Sequence, residues 1–173
     1  MGLAALLTAL ALHAHALQHR PHVVTHPVWP ANGTITSPFG RDGARWHPGI
    51  DIGTLRSLAV RDAIPGRVVK VGRQRGFDGY GNIVLVRSGR YQELYAHLAA
   101  WRVRVGQRLR PGQRIATAGC TGLCFGTHLH FEVRRAGKPV SPLRTVLRYL
   151  VVPHPHPRAL VVQPVLAMRK PLL

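Results

Sequence analysis

The stretch FGTHLHFEVRRAG (125–137) places His128 and His130 two residues apart in a run that alternates as a strand would. On a strand, residues two apart share a face. His128, His130 and Glu132 therefore point one way, and Leu129, Phe131 and Val133 point the other, toward a core. Two imidazoles side by side on a polar face are an arrangement that a metal can use. On a helix the same pair would diverge by about 200°. The pattern His-x-His carries little weight alone, because it recurs at His13/His15 and His154/His156 among eleven histidines.

Two further segments hold residues of the same chemistry. In RWHPGIDIGT, His47 and Asp51 are four apart, but Pro48 and Gly49 argue against a helix. An extended or turning backbone still lets the two side chains converge. Asp51 lies between two isoleucines and is one of only six acidic residues, so it is expected to be buried or half-buried. A buried carboxylate needs a partner, either an arginine or a divalent cation. In RYQELYAHLAA the alternation sets Leu94, Ala96 and Leu98 on an apolar face, and Tyr91, Glu93, Tyr95 and His97 on a polar one. A catalytic zinc takes three nitrogen, sulfur or carboxylate ligands and keeps a position for water. His47, Asp51 and one of His128 and His130 would supply that set and leave the site at net +1, which favours acidification of the water. The two histidines left over are the groups a hydrolase needs for proton transfer and for steadying an oxyanion.

These residues must be positioned by strands. GRVVKVG, GNIVLVRSG, RYQELYAHL, RVRVG, RLRPGQRIATAG and THLHFEVRRAG are short β-type runs bounded by glycine or proline. Only PLRTVLRYL (142–150) has a helical period. The expectation is one all-β domain over 29–143, preceded by a lead-in at 17–28 and followed by a Pro-rich short helix or tail at 144–173. The first sixteen residues read as a signal peptide, with an uncharged apolar run and Ala14-His15-Ala16 as an A-x-A-like cleavage site. No other stretch has transmembrane length, so the mature chain is expected to be exported and soluble. In an oxidising compartment Cys120 and Cys124 are expected to form a local disulfide. Lys+Arg total 24 against 6 acidic residues, a net charge of +18. Such a balance favours polyanionic partners: nucleic acid, anionic lipid or an acidic wall polymer.

HPGID, GYGNIVLV, YAHL, VRVGQRLRPGQRI and GTHLHFEV together resemble the motif series of the M23 (LytM/lysostaphin-like) zinc metallopeptidases, in the family's order and across roughly 29–143. The resemblance implies a mainly antiparallel two-sheet β fold with a zinc-containing groove. It also implies endopeptidase cleavage of peptidoglycan cross-links with one zinc per chain. Carried over residue by residue, the metal ligands fall on His47, Asp51 and His130, and the catalytic histidines on His97 and His128. The other His-x-His pairs match no family position. The sequence departs from the pattern at TLRSLAVRDAIPG, and in carrying two cysteines before the histidine pair.

Three rival readings follow from the same residues. A non-catalytic M23-like domain that binds the wall and regulates other hydrolases would typically lack some ligands, and all are intact here. A zinc-finger-like nucleic-acid binder is disfavoured, because C-x₃-C-x₃-H-x-H is too compressed for a finger and the export signal would go unexplained. No specific nucleic-acid partner is therefore expected. A biotinyl or lipoyl carrier needs a lysine at a hairpin tip, and Lys70, Lys138 and Lys170 do not lie in a matching turn.

Overall fold

The computed structural model describes residues 27–43 and 45–151. The expected signal peptide, His13/His15, His154/His156 and the tail beyond 151 lie outside the described residues. Among the described residues, thirteen strands and one helix form in the order β1 (Thr34–Ser37), β2 (Gly40–Asp42), β3 (Arg45–His47), β4 (Ile50–Gly53), β5 (Ala59–Arg61), β6 (Gly66–Gly72), β7 (Ile83–Ser88), β8 (Tyr91–Ala96), β9 (Leu98–Trp101), β10 (Arg108–Leu109), β11 (Arg114–Ala118), β12 (Leu129–Arg135), β13 (Lys138–Val140) and α1 (Pro142–Val151). The larger sheet runs β1-β4-β12-β8-β7-β6-β10, with β13 also paired to β12. A smaller sheet runs β5-β11-β9, and β2 and β3 form a hairpin. All pairings are antiparallel. The all-β, two-sheet expectation holds.

Strand register decides which side chains meet. Across β4, β12 and β8, Asp51 lies opposite His130 and His130 opposite Ala96. Ile50 lies opposite Phe131, and Phe131 opposite Tyr95. Paired residues share a face. One face of the sheet therefore carries Ile50, Ile52, Leu129, Phe131, Val133 and Tyr95 into the main core, against Val60, Leu98, Ile115 and Ala116 of the smaller sheet. The opposite face carries Asp51, His130 and Glu132 beside a second apolar cluster of Ile83, Leu85, Leu94 and Ala96. Phe77 and Tyr80 cover that cluster. Helix α1 begins at Pro142, a residue suited to a first helical turn, and sets Val146 into the main core.

Two strand readings need correction. RYQELYAHL is not one strand but two, β8 and β9, broken at His97, whose φ is +58°. This left-handed residue swaps the alternation, so Leu98 turns into the main core while Leu94 and Ala96 stay on the opposite face. The Tyr91/Glu93/Tyr95 face, read as polar, is the face that enters the main core. The two tyrosines bring large apolar bodies, and Glu93 is fully buried with its carboxylate accepting from Ser88 Oγ, Tyr95 Oη (2.6 Å) and the Ile64 amide (3.2 Å). RVRVG forms no strand. There Arg102 N bonds to Ile115 O (2.8 Å) and the chain turns at Arg104–Gln107, with only Val103 entering the core.

Candidate metal centre

His47 ends β3 and Asp51 sits in β4, with Pro48-Gly49 making the turn between them. That turn folds His47 Nε2 back to within 3.3 Å of Asp51 Oδ1. The turn also runs close to β12. A Cβ on Gly49 would lie 2.5 Å from Phe131 O and 3.1 Å from His130 Cε1, so glycine is required there. The adjoining strand β12 brings His130 Nδ1 to 2.7 Å from Asp51 Oδ1 and 3.1 Å from His47 Nε2. His47, Asp51 and His130 thus converge as a group that could hold a metal ion.

The other ring nitrogen of each of these two histidines is already engaged. His47 Nδ1–H donates to Pro38 O at 2.8 Å. His130 Nε2–H donates to Glu132 Oε1 at 3.0 Å. Glu132 is fully buried and also accepts from Tyr80 Oη (2.6 Å) and Arg134 Nε (2.6 Å). With those protons committed, His47 Nε2, His130 Nδ1 and Asp51 Oδ1 all present lone pairs to one point. Such a set needs a shared cation or an added proton, and two imidazoles with one carboxylate match zinc's donor preference. The electrostatics agree. The Asp51 hydrogen bond is the main cause raising the His47 imidazole's pKa. Burial lowers that of His130, but Asp51 and Glu132 more than offset it and the net shift is upward. Burial pushes the Asp51 carboxyl up, while bonds from His130 and His47 outweigh it and hold the carboxyl well below the usual range.

His97 and His128 stand beside this group. Their rings are 4.8 Å apart between centroids, and His97 is 5.8 Å from the His130 ring. His97 reaches this face only because of its left-handed backbone; continued alternation would have turned it into the main core. Its Nδ1–H donates to Thr121 O at 2.8 Å, and burial is the main cause lowering its pKa, so it is neutral. His128 Nδ1–H donates to Gly126 O at 2.8 Å, and its Nε2 lies 3.7 Å from Asp51 Oδ1. Both histidines therefore commit Nδ1 to a backbone carbonyl and leave Nε2 as the nitrogen turned to the site. The side chains of Asp51, His128 and His47 remain 23%, 18% and 15% exposed, so the group opens to solvent on their side.

The structure brings together all five residues singled out in the sequence. It adds Glu132, Tyr80 and Arg134, to which the sequence reading gave no role. Glu132 and Arg134 had a signal, their places two and four residues after His130 on one strand face; Tyr80 lay inside the GYGNIVLV motif, which gave it no role. Cys120 and Cys124 are disulfide-bonded.

Residues 45–142 match the family described as peptidase family M23. This chain belongs to the M23 peptidase family. It is 39% identical over 117 residues to the murein hydrolase activator NlpD of Escherichia coli (strain K12), covering 67% of this chain and 30% of that protein. It is 38% identical over 120 residues to the DD-carboxypeptidase/endopeptidase Mpg of Neisseria meningitidis serogroup B, covering 65% of this chain and 27% of that one. Among solved structures, a zinc-containing peptidase from Vibrio cholerae superposes with a TM-score of 0.56 at 34% identity, over 68% of this chain and 38% of that chain. The chain thus spans under a third of the length of these two relatives.

Proposed function

We propose that this protein is a zinc-dependent endopeptidase that hydrolyses peptide cross-links of bacterial peptidoglycan. The observation that carries the reading is the pair of free Nε2 atoms, on His97 and His128, beside a His47–Asp51–His130 group open to solvent. A structural zinc site would close with a fourth protein ligand and would have no use for two further imidazoles beside it. A zinc ion held by those three residues supplies Lewis acidity, polarising a carbonyl and acidifying a water. The chain's own residues do the rest. His97 and His128 keep their protons on Nδ1, so each Nε2 can take a proton from the attacking water. Once protonated, either can donate to the carbonyl oxygen as negative charge develops, or to the leaving nitrogen. Glu132 orients His130, and the Pro38 carbonyl orients His47.

The substrate reading rests on the murein named for the NlpD relative, on the endopeptidase activity named for the Mpg relative, and on the charge. Asp62, Glu93 and Glu132 are fully buried and Asp51 is half-buried. Among the described side chains only Asp78 then offers the surface a negative charge, against many exposed arginines. A surface of that kind suits acidic cell-wall polymers as binding partners and an exported, periplasmic or wall-associated location.

A second reading has one observation behind it: the NlpD relative is named as an activator of murein hydrolases. In that reading the domain binds the wall without cutting it and regulates other wall hydrolases. Digestion of purified sacculi followed by mass spectrometry of the soluble products separates the two. The peptidase reading expects new peptide termini at cross-links, lost on metal chelation and restored by zinc. Intact cross-links after treatment with zinc-loaded protein would favour the activator.

A further inference from the structure

The two cysteines lie in the loop between β11 and β12, which closes on itself where His128 N meets Gly119 O at 3.3 Å. Its two halves are held very differently. In the first half, Thr121 Oγ1 donates to Leu98 O (3.0 Å) and accepts from Asn82 N (2.9 Å), while Leu123 N bonds to Gly79 O (2.8 Å). Gly122 packs so tightly that a Cβ there would lie 2.4 Å from Gly79 O and Gly81 N. This anchored half delivers Thr121 O to His97 Nδ1.

The second half has no such anchors. Phe125 is fully exposed, and nothing lies within 4 Å of a Cβ placed on Gly126. Among the described residues, Phe125 to Thr127 make one hydrogen bond to the site, from His128 Nδ1 to Gly126 O. Beyond the backbone itself, which leaves the anchored half at Leu123, the covalent tie of this half to the anchored half is the Cys120–Cys124 bond. Cys124 Sγ itself lies 3.6 Å from His128 Nδ1.

We propose that the Cys120–Cys124 disulfide is a positioning element for His128. By tying Cys124 to the anchored half of the loop, it holds the Gly126 carbonyl where it fixes the His128 ring and keeps the ring proton on Nδ1. His128 Nε2 is thereby presented to the site. His97 does not depend on the bond, because Thr121 is held by its own hydrogen bonds. The inference rests on the peptidase reading for its effect on rate, but not for its effect on the ring. It makes hydrolysis responsive to thiol redox state without involving the metal ligands.

The test reduces the zinc-loaded full chain with a water-soluble phosphine. The phosphine gives two electrons to the disulfide and takes the oxygen of water to become its oxide, and the water's two protons go to the sulfurs. A Cys120→Ser/Cys124→Ser variant makes the same break without reductant. Three quantities are read: zinc per chain, kcat and KM on a cross-linked wall peptide, and imidazole ¹⁵N NMR. Zinc content and KM are expected to stay, while kcat falls about 10²-fold, the scale of an ångström-level misplacement. The Nδ1–H signature of His128 is expected to be lost while that of His97 persists, and reoxidation restores both rate and signal. In a His128→Ala background, reduction should cost nothing further. An unchanged His128 signal after verified reduction would overturn the proposal, as would an equal rate loss in the His128→Ala background. If the oxidised protein cleaves nothing, the peptidase reading fails, and the NMR comparison alone decides the positioning role.

Discussion

At the scale of single residues, each histidine of the centre has one ring nitrogen committed to an outer acceptor and the other turned to the centre. Three commit Nδ1 to a backbone carbonyl: Pro38 for His47, Thr121 for His97 and Gly126 for His128. His130 alone commits Nε2, and its partner is a carboxylate. A carboxylate behind a metal-binding imidazole raises its basicity, and such partners are commonly worth 10–100-fold in metal affinity. Glu132→Gln keeps an oxygen that can accept the His130 proton but removes the charge. Zinc affinity, measured by competition with a chromophoric chelator, should fall by about that 10–100-fold. An affinity equal to the parent's would show that the carboxylate only fills space. The five central residues were legible in the sequence because Asp51 stood out in a chain with so few acids, and strand alternation with the motif series singled four histidines out of eleven. The carbonyl acceptors were not legible, since any residue can supply a carbonyl, and which one does so is decided by loop geometry.

At the scale of elements, the centre depends on how closely the β3–β4 turn approaches β12. Gly49 has an ordinary backbone conformation, so its requirement is space and not φ. Gly49→Ala would drive a methyl into Phe131 O, Glu132 Cγ (2.8 Å) and His130 Cε1. Such overpacking typically costs about 1–3 kcal/mol. Part of it should appear as weaker zinc binding, because the displaced strand carries His130. Thermal melts of the metal-free and zinc-loaded variant measure both parts; parent-like zinc stabilisation would contradict the account. The alternation in THLHFEV gave the correct core side, because Leu129, Phe131 and Val133 are unambiguous. In YQELYAHL the same rule chose the wrong side. Tyrosine can bury its ring and still satisfy its hydroxyl, and Glu93 is fed by three donors within the core. The break at His97 left no trace in the pattern, since a histidine with φ of +58° is spelled like any other.

At the scale of the whole molecule, a very basic chain keeps three of its six carboxylates fully buried. Asp62 and Glu93 share the main core, and neither Asp62 carboxylate oxygen has a hydrogen-bond partner among the described residues. Burial, then the neighbouring Glu93 charge, pushes the Asp62 carboxyl up to about 9. Burial likewise raises Glu93, to about 7, against the bonds from Ser88 and Tyr95. A raised carboxyl binds its proton more tightly in the folded state. Its contribution to stability is therefore complete below the unfolded value, about pH 4, and is lost as pH rises through the folded values. The melting temperature should thus decline from weakly acidic to weakly alkaline pH. Asp62→Asn, which cannot ionise, should flatten that decline whatever it does to absolute stability. Equal slopes for parent and variant would contradict the shared-core account. The +18 charge was plain in the sequence, but this internal pair was not, because burial of a carboxylate is a property of the packed sheets.

The central claim is that His97 and His128 perform proton transfer beside a metal held by the other three. The most direct measurement is single-turnover hydrolysis of a defined cross-linked wall peptide by zinc-loaded parent and His128→Ala, with zinc content determined on the same samples. The account predicts that the parent cleaves the peptide. It predicts that His128→Ala keeps one zinc per chain and loses rate by about 10²–10⁴-fold, the usual worth of a general acid–base group. A zinc-loaded parent that leaves the peptide intact, or a His128→Ala variant that cleaves at the parent's rate, would contradict it.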